Sequence, residues 1–216
     1  MSEIKTVVFD ADLTLIDSFK GVHEIYCLAA GRLGLSKPSQ DALRNQWGKK
    51  VLDIITGLFG EDQRDRVYEV LSEVGEGYEH QLFAGVVDAL QSIAEGDLSL
   101  GILSTTDKRF FRPHLERVGV WELFDLVVGG EDTEVRKPNP AVFAAFLARY
   151  KPEELVYVGD ALVDWEAARD ADLGLFLAVT TGFTSAEEFV TAGVSENQIL
   201  ESAAAVPQVL EALAIR

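Results

Sequence analysis

The sequence predicts an α/β protein: a Rossmann-like parallel-sheet core with an α-helical cap inserted into it. Two observations lead there. Short β-branched apolar runs alternate with stretches of helical spacing over most of the chain, and one long early segment breaks that alternation with helical pattern alone.

The first run, Thr6-Val7-Val8-Phe9, stops at Asp10, which reads as a buried strand with a carboxylate at its carboxyl end. Similar runs recur at Leu98–Leu103, Leu126–Val128, Leu155–Val158 and Leu175–Val179. Between them lie helical triads such as Val86, Leu90 and Ile93, or Phe110, Leu115 and Val118, and the set Val142, Phe143, Phe146 and Leu147. Strand-helix alternation implies right-handed crossovers and a parallel sheet covered on both faces. From 17 to 83 the pattern is helical throughout: Val22, Ile25, Tyr26 and Ala29; Val51, Ile54, Ile55 and Leu58; Val67, Val70, Leu71 and Val74. Gly34, Pro38, Gly48, Gly57 and Gly60 punctuate it as turns. The predicted organisation is therefore an α/β core of 1–16 and 84–216 with a helical cap of 17–83. A last amphipathic helix is expected over Ser202–Ile215, packing through Val206, Leu210 and Leu213.

Composition narrows the function. With 48% hydrophobic and 25% charged residues, the chain has the balance of a globular protein rather than a disordered one. A formal charge of −17 argues against nucleic acid and anionic membranes as partners, since both call for a basic surface. An anionic small molecule can still bind if a local cation overcomes the field of the chain. Cys27 is the only cysteine, which excludes an internal disulfide and cysteine-rich zinc sites. No signal-peptide pattern or membrane-length apolar run is read, so a cytoplasmic location is expected; the oligomeric state is not legible.

Ligands of open parallel sheets sit beyond the carboxyl ends of the strands, so the residues found there matter most. Asp10, Asp12 and Thr14 follow the first strand; Ser104, Thr105 and Thr106 follow the second. Lys137 lies in Arg136-Lys137-Pro138 before a later helix, and Gly159-Asp160-Ala161-Leu162-Val163-Asp164 follows another strand. Carboxylates gathered on one rim repel one another unless a cation intervenes, and hard oxygen ligands without His or Cys select Mg²⁺. Lys137 supplies a second point charge, and the Ser104 hydroxyl can donate to a phosphate oxygen.

The run Val7-Val8-Phe9-Asp10-Ala11-Asp12-Leu13-Thr14-Leu15 resembles the first motif of the haloacid dehalogenase-like hydrolase superfamily, Asp-x-Asp-x-Thr after a hydrophobic strand. Ser104, Lys137 in Lys137-Pro138-Asn139-Pro140, and Gly159-Asp160-x-x-x-Asp164 are similar to its other three motifs, in the same order. The inserted cap resembles that of the phosphoglycolate phosphatase-like branch. The resemblance implies a phosphatase acting on a small phosphorylated metabolite, with Asp10 as nucleophile and Asp12 as general acid and base. It also implies phosphate binding by Ser104 and Lys137; the two threonines after Ser104 leave the exact hydroxyl open, and Thr105 is a candidate assistant. Magnesium is expected on Asp10, Asp160, Asp164 and the backbone carbonyl of Asp12. The second aspartate, absent from dehalogenases of the superfamily, favours phosphate esters over halides.

Leu13 and Asp172 stand where relatives usually carry glycine, and Ala84 where they often carry proline. Leu13 is expected to stiffen the turn after Asp12, and Ala84 to affect only the hinge; Asp172 has no functional reading. In the cap, Trp47-Gly48-Lys49-Lys50 reads either as a substrate-selecting loop or as a packed tryptophan followed by solvated lysines. Asp160 and Asp164 also have ordinary readings, as a helix cap and a first-turn acid. A phosphomutase shares the Asp10 and Asp12 chemistry and is the alternative enzyme. A phosphoacceptor domain and a silent binding protein are the non-enzymatic ones.

Overall fold

The computed structural model describes residues 3–75 and 78–213. The chain divides into two compact units, Met1–Ile16 with Leu82–Arg216, and Asp17–Gln81.

The first unit is built on six parallel strands: β1 (Thr6–Phe9), β2 (Ser99–Leu103), β3 (Phe124–Val128), β4 (Leu155–Gly159), β5 (Leu175–Val179) and β6 (Ile199–Leu200), in the spatial order β3-β2-β1-β4-β5-β6. The sixth strand has no counterpart in the sequence reading, because two residues are too few to show a period. Strand side chains alternate between faces. Val7, Phe9, Leu100, Ile102, Val156 and Val158 pack on one face, under the helices Val86–Ala94, Lys108–Arg117 and Val206–Ala212. Val8, Leu103, Tyr157, Phe176 and Ala178 line the other, under Pro140–Leu147, Leu162–Asp170 and Ala186–Ala192. With both faces dry, strands such as Leu155–Gly159 are buried at every residue, which is why they read as unbroken apolar runs.

Two helical faces differ from expectation. On Lys108–Arg117 the buried residues are Phe111, His114 and Leu115, whereas Val118 is the C-cap residue and exposed. On the last helix Val206 and Leu210 are buried but Leu213 is exposed, and the expected end at Ile215 lies outside the described residues.

The second unit is helical, with Phe19–Leu33, Gln40–Arg44, Val51–Phe59 and Arg64–Gly75. Its own core gathers Ile25, Tyr26, Ala29, Leu43, Ile54, Ile55, Val67 and Leu71. Among the described residues no helix is long and apolar enough to cross a membrane.

Both glycine replacements noted in the sequence sit where a glycine would be unstrained. Leu13 and Asp172 are the two non-glycine residues with positive φ among the described residues, at 60° and 52°. Asp172 closes the helix Leu162–Asp170: Leu173 N donates to Ala168 O and Asp172 N to Arg169 O, each at 3.0 Å, the paired bonds of a Schellman turn. Leu13 is held by its own N–H to Ile16 O (2.8 Å), by the Thr181 hydroxyl on its carbonyl (2.5 Å) and by burial of its side chain.

Candidate active site

The sheet order reverses between β1 and β4, the switch point at which such sheets place ligands. Register does the rest. Phe9 lies opposite Ile102 on β2 and Val158 on β4, and Asp10 N continues the ladder to Val158 O at 2.9 Å. Asp10 therefore emerges between Ser104 and Asp160, although these lie 94 and 150 residues further along the chain. Lys137 joins them from the loop after β3, next to a cis Lys137–Pro138 bond.

The side chains converge on Lys137. Its ammonium lies 2.6 Å from Asp164 Oδ1, 2.9 Å from the Tyr157 hydroxyl and 3.1 Å from Asp10 Oδ1. Asp160 receives the Thr14 hydroxyl at 3.1 Å, and Asp12 receives the Thr106 hydroxyl at 2.6 Å. Ser104 Oγ accepts from Thr106 N at 3.1 Å, which orients the turn at the end of β2. Asp164 has a dual role. Its Oδ2 accepts from Ala161 N at 3.0 Å and closes the first turn of its helix, while Oδ1 faces the ammonium. The residue capping that helix is Ala161, so Asp160 is left to the site.

Electrostatics follow from burial. The Asp10 carboxyl is raised to about 7, first of all by burial, with Lys137 pulling it down and Asp164 and Asp12 pushing it up. Asp160 is raised well above the usual carboxylate range, first by burial and then by Asp164 and Asp10. Burial works against the Lys137 ammonium, but Asp10 and Asp164 outweigh it and raise its pKa. Asp10, Asp160 and Asp164 each bring a carboxylate oxygen within 4.8 Å of the others, and all three residues are buried. With all three ionised, the carboxylates against one ammonium would leave an excess of two negative charges, which burial resists unless a cation enters. An all-oxygen donor set with that excess fits a hard divalent cation such as Mg²⁺. The Asp12 side chain stands outside this cluster, on Thr106.

Thr105 is not among the side chains that converge on Lys137. Thr105 contributes its carbonyl, which accepts from Arg136 Nη1 at 3.3 Å. In the helical unit, half-buried Trp47 packs edge-on against Phe19 at 5.2 Å, Gly48 turns with φ 79°, and exposed Lys49 donates to Gln46 at 2.9 Å.

Tyr157, Thr181 and Gly182 were not singled out in the sequence. Tyr157 sits inside an apolar strand, where only its hydroxyl distinguishes it from a core aromatic. Gly182 leaves room for Asp160: a Cβ on it would meet Asp160 Oδ2 at 1.9 Å.

The family model of haloacid dehalogenase-like hydrolases matches residues 7–178, most of the chain. The chain is 31% identical over 194 residues to a phosphoglycolate phosphatase of Synechococcus elongatus, covering 88% of this chain and 90% of that one. It is 27% identical over 201 residues to one of Yersinia pseudotuberculosis, with coverage of 87% and 86%. Among solved structures, a haloacid dehalogenase-like hydrolase of Bacteroides fragilis superposes with a TM-score of 0.81 at 26% identity, covering 94% of this chain and 100% of that one.

Proposed function

Because the chain belongs to the haloacid dehalogenase-like hydrolase family, we propose that it is a Mg²⁺-dependent phosphatase forming an aspartyl-phosphate on Asp10, with a small phosphorylated metabolite as substrate. It is an enzyme of the phosphoric monoester hydrolase class. The observation that carries the finer reading is the ion pair of buried Asp10 with buried Lys137 at 3.1 Å, at the carboxyl end of the central strand. In this reading the nucleophilic carboxylate and the phosphate-binding cation stand side by side. The substrate we favour is of the phosphoglycolate or sugar phosphate type, in keeping with the names of the relatives.

An Asp10 carboxylate oxygen attacks phosphorus as the bond to the leaving alcohol breaks. Asp12, held by Thr106, acts as general acid and delivers the proton to the leaving oxygen. A water then attacks the aspartyl-phosphate, Asp12 takes its proton, and phosphate departs with Asp10 restored. Lys137 offsets the charge on the phosphoryl oxygens, which is the main requirement of phosphoryl transfer, and the Ser104 hydroxyl is placed to donate to one of them. Asp10 and Asp160 would hold Mg²⁺, with the Asp12 carbonyl as a further ligand, and the ion supplies additional charge neutralisation there. Asp164 is better assigned to Lys137 than to the metal, since Oδ1 receives the ammonium and the Tyr157 hydroxyl and Oδ2 a backbone N–H.

Phosphate release from 2-phosphoglycolate and a panel of sugar phosphates, with Mg²⁺ and with a chelator, tests this reading. Release that depends on Mg²⁺ and drops by about 10³-fold or more in Asp10→Asn is expected. Undiminished release by that variant would remove Asp10 as nucleophile. Isomer or bisphosphate formation without free phosphate would make the enzyme a mutase.

A further inference from the structure

Lys137 is gripped by a group that the reaction scheme does not use. Its ammonium has three N–H donors and three neighbours: Asp164 Oδ1 at 2.6 Å, the Tyr157 hydroxyl at 2.9 Å and Asp10 Oδ1 at 3.1 Å. An ammonium cannot accept a hydrogen bond, so the Tyr157 oxygen accepts from Lys137 and keeps its own proton to give away. Asp164 Oδ1 takes it at 3.0 Å, with the Leu103 carbonyl a longer alternative at 3.4 Å. Lysine, tyrosine and aspartate form a closed triangle, and the lysine is left one way to point.

The hydroxyl cannot drift. The Tyr157 ring is fully buried on a central strand, edge-on to Phe143 at 5.0 Å and tilted against Phe176 at 6.2 Å. A buried hydroxyl is costly without a partner, and phenylalanine would fill the same space at no such cost. The presence of tyrosine there is explained by what its oxygen holds.

We infer that Tyr157 is a positioning residue: with Asp164 it fixes the Lys137 ammonium against Asp10, so that the transferring phosphoryl group meets a cation already in place. This rests on the phosphatase reading above. Without the hydroxyl, one ammonium N–H is left buried and unsatisfied, and the lysine can pivot about Asp164. Preorganised charge of this kind acts on the transition state more than on the ground state.

The test is Tyr157→Phe, which keeps the ring and its packing. Inhibition with Mg²⁺ present is measured for vanadate, which mimics the five-coordinate transition state, and for inorganic phosphate, which does not. Vanadate is expected to weaken by about 10-fold and phosphate by less than about 2-fold, with kcat falling in step with vanadate and KM held. The ratio of the two constants is independent of the fraction of folded enzyme. Separately, the ¹⁵N ammonium signal of Lys137, assigned by its loss in Lys137→Met, is expected in the parent protein and lost or broadened in Tyr157→Phe. An unchanged vanadate-to-phosphate ratio overturns the proposal even if the ammonium signal is lost. If the parent protein cleaves no phosphate ester, the phosphatase reading fails and the ammonium signal alone decides: its loss keeps the positioning role, its persistence ends it. Should Tyr157→Phe not fold, Asp164→Asn is read in the same way, because it weakens the acceptor that orients both groups.

Discussion

Gly182 presents bare backbone to the Asp160 carboxylate, so closely that a Cβ on it would stand 1.9 Å from Oδ2 and 2.6 Å from Cγ. The loop cannot simply retreat, because the adjacent Thr181 hydroxyl is bound to the Leu13 carbonyl at 2.5 Å. Gly182→Ala must therefore displace the carboxylate. Calorimetric titration is expected to show Mg²⁺ bound about 10-fold more weakly or worse, with a stability cost of about 1–3 kcal/mol from the overpacking. Parent-like Mg²⁺ affinity would show that Asp160 is not a ligand.

Without Mg²⁺ the protein should lose stability as pH rises from weakly acid to neutral. Folded Asp10 holds its proton to about pH 7, whereas an unfolded aspartate releases it near pH 4. Below the lower value both states are protonated and the group contributes nothing. Between the two, the folded state binds the extra proton, so stability falls with rising pH, and above 7 the loss is complete. Asp160, raised by the same burial, acts in the same direction. Urea unfolding in chelator should show the protein more stable at about pH 5.5 than at about pH 8, by on the order of 2–3 kcal/mol. Saturating Mg²⁺ should flatten that dependence and Asp10→Asn should shrink it. A slope left intact by Asp10→Asn would place its origin elsewhere.

Glycine at the two left-handed positions should have opposite effects. Asp172 is exposed, so Asp172→Gly relieves the helix-ending turn with little lost packing and should stabilise by about 0.5 kcal/mol. Leu13 is only 3% exposed, and its burial outweighs about 1 kcal/mol of backbone strain. Leu13→Gly should destabilise by about 1–2 kcal/mol, read from thermal or urea unfolding. Equal signs for the two variants would mean that backbone strain, not burial, governs Leu13.

Lys137→Met should be harmful twice over. It leaves Asp10 and Asp164 facing each other without a counter-charge, a loss of about 3–5 kcal/mol at neutral pH, and it should reduce turnover by about 10²-fold or more. The stability deficit should be smaller at about pH 6 than at about pH 8.5, because Asp10, already raised to about 7 beside Lys137, holds its proton to higher pH once that cation is gone. Unfolding curves at both pH values check this; a deficit independent of pH would assign it to packing instead.

Much of this was legible in the chain because it depends on local pattern. Unbroken β-branched runs such as Thr6–Phe9 follow from strands buried on both faces, and Asp10, Asp160 and Ser104 stand at strand ends, where a sheet of this kind exposes its chemistry. The proposed oxygen-ligated cation and phosphate rest on the identities of these acids and the lysine. Partnership was not legible, because it is set by register between strands distant in sequence. That Asp164 is shared between a helix turn and Lys137, that Thr106 rather than Thr105 holds Asp12, and that Tyr157 reaches the ammonium depend on residues far apart in sequence meeting at bonding distance. Gly182 shows the same limit from the other side. Its role is the space it leaves for Asp160, and an empty volume has no signature until the fold encloses it.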